Sequence, residues 1–172
     1  LPAAIIRNSL PHYNQLYVLW TALHLLEGNR RVLISVAQSP ERLMKRYAEA
    51  FDLPGWQNVP PFVPPADLDG QARYQETRAA CVDYCGEQSF EVRLLDHGIA
   101  TSHGQMPQRL RRLMTDLIDR RICPVTLATA TLTEGVNLPF DIIFLTSLER
   151  RSFDTQAQQP IVVPMSTAEF RN

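Results

Sequence analysis

An α/β fold, built on a mostly parallel sheet with helices on both faces, is what this sequence predicts. Three observations carry that expectation. Short apolar runs at 31–36, 124–128 and 141–146 lack a polar face, as strands buried on both sides do. Longer segments between them repeat their apolar residues at helical spacing. The two kinds of segment alternate along the chain, which favours parallel pairing with crossover helices. Sheets of this kind gather ligands at the carboxyl ends of their strands, so the loops leaving those ends matter most.

Each element has its own signal. Leu16, Leu19, Trp20, Leu23 and Leu26 predict a helix over 12–27, stopped by Gly28-Asn29. The strand at 31–36 follows. Ser39 then reads as an N-cap and Pro40 as the first helical position of a helix to about residue 51. Residues 52–65, DLPGWQNVPPFVPP, hold five prolines and read as a loop. Helices are expected over 71–85 and about 88–97, and a short strand then leads into Ser102-His103-Gly104. Pro107 opens the clearest helix, with Leu110, Leu113, Met114, Leu117 and Ile118 in one stripe. The strands at 124–128 and 141–146, a polar excursion at 149–159 and a strand at 161–164 complete a single domain over 1–172. The Pro-rich loop and the helix after it, about 52–87, read as an insertion. Ser166 and Glu169 fit a capping box, so the chain is expected to stop inside a helix of a longer protein.

Composition narrows the function classes. A formal net charge of −1 means that any nucleic-acid contact must come from a local patch. No run of 18 apolar residues spans a membrane, and no signal peptide opens the chain. Cys81, Cys85 and Cys123 are odd in number and lack CxxC spacing, which points to buried or free thiols in a reducing cytoplasm. Trp20 and Trp56 read as packing anchors, and Asp96-His97 as a helix end rather than an acid–base pair.

Two segments could carry chemistry. TATLTEGVNLPF, residues 129–140, joins two strands. Threonine hydroxyls and backbone amides after a strand suit phosphate, Gly135 permits close approach, and Asn137 can bond a sugar or a neighbouring main chain. The plainer alternative is an ordinary strand connection. His103-Gly104-Gln105 precedes a helix with Arg109, Arg111, Arg112, Arg120 and Arg121, and arginine at a helix start grips phosphate. The alternative there is a solvated face with pairs such as Arg112–Asp116.

Taken together, HGIATSHGQMPQRLRRLMTDLIDRRICPVTLATATLTEGVNLP, residues 97–139, resembles the second RecA-like domain of superfamily 2 helicases. The resemblance is to the DExH/Ski-like branch, whose motif V carries GVNLP. RRVLISVAQSPERL is similar to the motif IV strand and loop, although Gln38 stands where many relatives have Ser or Thr. The resemblance spans about residues 30–148. It implies a RecA-like three-layer α/β/α domain, the C-terminal lobe of an ATP-dependent helicase or translocase, cut before motif VI. It further implies that Gln38, Ser39, His103, Gly104, Arg109, Thr129 and Thr131 lie along the nucleic-acid strand, single-stranded or duplex. Glu134, Gly135 and Asn137 would face the ATP cleft and couple it to strand grip.

ATP and Mg²⁺ would bind only together with the N-terminal RecA-like domain of the same protein. Neither GxxxxGK[ST] nor a DExH or DEAD box occurs in this chain, so by itself it is expected to hydrolyse nothing. A rival expectation is a degenerate helicase-fold module used in protein docking or regulation, without ATP coupling.

Overall fold

The computed structural model describes residues 13–36, 40–129, 140–146, 149–154 and 158–164. Its elements run α1 (Tyr13–His24), β1 (Val32–Val36), α2 (Pro40–Ala50), a 3-10 turn (Trp56–Asn58), α3 (Leu68–Cys85), α4 (Phe90–Asp96), β2 (Ile99–Ser102), α5 (Gln108–Asp119), β3 (Val125–Thr129) and β4 (Ile142–Leu145). Two further strands, β5 (Glu149–Asp154) and β6 (Gln159–Pro164), follow. Strands β1 to β4 form one all-parallel sheet in the order β2-β3-β1-β4. Helices cover both of its faces, so the expected three-layer α/β/α, RecA-like arrangement is the fold.

Alternation along the strands divides the core. Val32, Ile34, Val36, Val125 and Leu127 point to the face covered by α1, α2 and Trp56. Ala100 points to the other face, where α5 lies and α3 packs beside it. Leu33 and Ala128 also point to that second face, with Phe140 against them. Of the stripe read from the sequence, Leu110, Met114, Leu117 and Ile118 are fully buried and Leu113 is partly buried against them. Burying those four contributes roughly 6–12 kcal/mol at ~1.5–3 kcal/mol each, before the entropy of ordering the chain.

The helix expected from residue 71 begins earlier, at Leu68. Asp67 caps it by accepting from the Gly70 N–H at 2.7 Å. The first turn escaped the apolar pattern because Leu68 is 85% exposed and the first buried residue, Gly70, has no side chain to mark it; the first buried apolar side chain is Tyr74. A second difference lies at 149–159, expected to be a polar excursion. Residues 149–154 are a strand, paired antiparallel with β6 from Glu149↔Pro164 to Asp154↔Gln159. The strand expected at 161–164 therefore belongs to this hairpin, not to the parallel sheet. ERRSFD has no apolar alternation of its own; its ladder is supplied by pairing with the Val-rich partner strand.

The Pro-rich segment is anchored to the body by aromatics. Trp56 meets Trp20 edge-on at 5.3 Å and Phe51 at 5.7 Å. Both tryptophans are therefore packing anchors, as expected. Phe62 lies on Gly98, whose φ of +74° follows α4. A β-carbon there would stand 2.5 Å from the Phe62 ring. Gly98→Ala is expected to lower stability by about 2–4 kcal/mol, from left-handed strain plus overpacking. Urea unfolding checks this, and a loss below about 1 kcal/mol would mean that the ring moves aside freely.

Candidate functional site

Register brings the strand ends that lead into the segments of interest to one edge. Ser102 pairs with Ala128, and Val36 pairs with Thr129. The segments beginning at residues 37, 103 and 130 therefore leave adjacent strands β1, β2 and β3 at their carboxyl ends. At a strand spacing of ~4.8 Å, their exits span roughly 10 Å. At the same edge, the Thr146 hydroxyl and amide both donate to the Ser35 carbonyl, at 2.8 and 3.1 Å, and extend the β1–β4 pairing.

Of the residues singled out from the sequence, four lie within the described residues: His103, Gly104, Arg109 and Thr129. Gln38, Ser39, Thr131, Glu134, Gly135 and Asn137 lie outside them. Thr129 ends β3 and is partly buried. Gly104 is exposed, and nothing lies within 4 Å of where its β-carbon would be. Arg109 is exposed in the first turn of α5.

His103 turns inward instead of outward, 7% exposed. Its Nε2 sits 3.7 Å from Glu91 Oε1, an ion-pair distance longer than a formed hydrogen bond, and neither ring nitrogen has a hydrogen-bond partner. The imidazole close beside it is the main influence that holds the Glu91 carboxyl below its usual range, against the opposing cost of burial. Sequence reasoning missed Glu91. Its position in the first turn of α4 signals only a favourable helix-dipole charge, and its meeting with His103 depends on how α4 packs on β2.

The arginines on and after α5 divide by role. Arg111 reaches back and donates to the Gly104 and Met106 carbonyls, both at 3.0 Å, and so fixes the turn after β2. Arg120 pairs with Asp116 and Asp69, and Arg73 pairs with the same two carboxylates. The suggested Arg112–Asp116 pair does not form, because Asp116 is engaged by Arg73 and Arg120. Arg112 stays exposed, and neither it nor Arg109 has a carboxylate partner among the described residues. The two lie one helical turn apart, i and i+3, on one face of α5. They form a small basic patch close to where β2 ends.

Other titratable groups serve the fold. The three cysteines are free thiols; Cys81 and Cys123 are buried, and burial pushes Cys123 up to about 12. Burial also raises Cys81 and Cys85, so none is a thiolate at neutral pH. His97 caps α4 and stacks on Phe51 at 3.6 Å, while Asp96 is gripped by Arg78 at 2.7 and 2.9 Å. Among the described residues, no group of His, Cys, Asp or Glu could hold a metal ion, and no helix is long and apolar enough to cross a membrane. No family model matches the chain, and no curated protein matches its sequence.

Because its folded-state pKa is lowered, the Glu91 contribution is present above the ordinary carboxylate range and is lost as pH falls below that range, through the lowered folded-state value. Glu91→Gln is expected to cost about 1 kcal/mol at neutral pH. The gap to the unsubstituted chain should narrow between neutral pH and strongly acidic pH, below the ordinary carboxylate range. Urea unfolding at both pH values checks this; a gap that does not change with pH would remove the charge from the explanation.

Proposed function

We propose that this chain is the second RecA-like lobe of an ATP-dependent superfamily 2 nucleic-acid helicase or translocase. One observation supports the reading: strand register sets the carboxyl ends of β1, β2 and β3, which lead into the segments with the helicase-like motifs, side by side in a parallel sheet. That edge is where ligands of such sheets gather. The Arg109–Arg112 patch beside it supplies the local positive charge that a chain of net charge −1 needs to meet phosphates.

The residues divide the work. Arg109 and Arg112 attract strand phosphates, and Gly104 lets the backbone approach closely. His103, held by Glu91, and Arg111, holding two carbonyls, keep the turn in shape; in this reading they position the contact without making it. Thr129 and Thr131, with Gln38 and Ser39 from the neighbouring loop, bond the strand backbone. Glu134, Gly135 and Asn137 face the first lobe, where ATP and Mg²⁺ bind. ATP closes the lobes, hydrolysis opens them, and the loops alternately hold and release the strand. The unwinding or translocating enzyme is the two-lobed protein, and its contacts are largely independent of base sequence.

Two measurements test this. Single-strand binding by the chain should weaken with salt. The Arg109→Ala, Arg112→Ala double variant should lower the log–log salt slope by about 1.4, at ~0.7 for each phosphate no longer neutralised. The two-lobed protein should be a strand-stimulated ATPase that loses the stimulation on Thr131→Ala while staying folded. An unchanged slope sinks the patch. A two-lobed protein that turns over no ATP on any strand favours a docking module instead.

A further inference from the structure

The stretch Pro60-Pro61-Phe62-Val63-Pro64-Pro65 has no helix, bend, turn or strand pairing. Its composition dictates this. Each proline fixes its own φ, and each residue before a proline is pushed into the extended region. Val59, at the head of the stretch, has φ −68° and ψ 130°. Among the described residues, no backbone hydrogen bond reaches residues 60–65. An unpaired backbone with four of six φ angles set by proline suits a polyproline II ridge, which at ~3.1 Å per residue would be about 19 Å long.

The ridge is held rigidly from beneath. Trp56 is buried just before it, Phe62 packs on Gly98 and beside Tyr74 at 5.6 Å, and Asp67 starts α3 just after it. Phe62 points inward, leaving the outward side apolar: Pro60 and Pro61 are exposed, Val63 is 76% exposed and nearby Leu68 is 85% exposed. Single exposed apolar residues need no explanation, but a contiguous set on a rigid segment does.

We infer that residues 60–65 are a preformed ligand for the polyproline-reading groove of another protein, lined by Trp and Tyr whose N–H and O–H donate to the ridge carbonyls. The chemistry of the ridge selects this partner. Four of its six residues have no N–H, so it cannot serve as a partner strand, which needs alternating donors. It is not helical, so a helix-binding groove does not fit it. What it offers is carbonyl acceptors, flat pyrrolidine rings and a backbone already ordered by proline, which lowers the entropic cost of binding. Beside the last proline, Asp67 is exposed and has no ion pair among the described residues, so the groove rim at that end carries a Lys or Arg. This inference stands apart from the helicase reading.

The test titrates the ¹⁵N-labelled chain with purified SH3, WW and EVH1 domains in turn. At least one should shift the Phe62, Val63 and Ala66 amides saturably. Pro61→Ala with Val63→Asp, both at exposed positions, should then weaken binding about tenfold or more. Asp67→Asn, which keeps an N-cap oxygen, should weaken it at low salt only. Tyr84→Ser, on the exposed side of α3, should change nothing. The inference fails if no domain shifts those amides, if the double variant binds undiminished, or if the amides shift on concentration alone, which would make a second copy the occupant.

Discussion

The structure depends on one strand being paired on both sides. β1 bonds β3 along one edge and β4 along the other, in parallel, from Val32 onward. Val32 and Ile34 have no exposed surface and Leu33 has 2%. A slip of one residue would exchange Val32, Ile34 and Val36 with Leu33 and Ser35, and set a hydroxyl in the α1–α2 core. Register is therefore fixed by packing on both faces. The same register decides where the loops at 37, 103 and 130 emerge, so the geometry of the candidate site is set by core residues that never touch a ligand. The amino end is held too: the Arg31 amide donates to Asp141 Oδ2 at 2.7 Å, and its carbonyl accepts from the Asp141 and Ile142 amides.

On this frame, charge is sorted by geometry rather than by count. Asp69, Arg73, Asp116 and Arg120 form a closed set of ion pairs between α3 and α5. Each pair is partly solvated and worth little alone. Their joint effect is to occupy Asp116 from both sides, which leaves Arg112 without its expected helical partner. Arg111, on the other side of the helix from Arg109, is engaged by loop carbonyls. Arg109 and Arg112, in the first turns of a helix that reads as uniformly basic, thus stay exposed and without a carboxylate partner among the described residues, as does Arg121 just past its end.

Much of this was legible in the sequence. The apolar runs and helical stripes marked all four strands of the parallel sheet and every helix of the body, because burial on fixed periods leaves a local trace. What escaped has physical reasons. The first turn of α3 is set by a cap and not by apolar spacing. β5 is a polar segment made into a strand by its partner. The inward turn of His103 depends on Glu91, twelve residues earlier on another element. Of the site itself, sequence spacing marked the loops and Arg109, but it could not say which arginines stay free. That is decided by carboxylates distant along the chain, such as Asp69, which lies 51 residues from Arg120.

Strand β2 separates the two surfaces. The ridge is seated on Gly98, at the amino end of β2, and the His103 turn leaves its carboxyl end. Four residues at ~3.3 Å put these points about 13 Å apart. All four residues of β2 are buried, and α4 and α5 both pack against it, so sliding it would disturb two cores at once. Occupation of the ridge would therefore leave the register of β2, and with it the position of the candidate edge, unchanged.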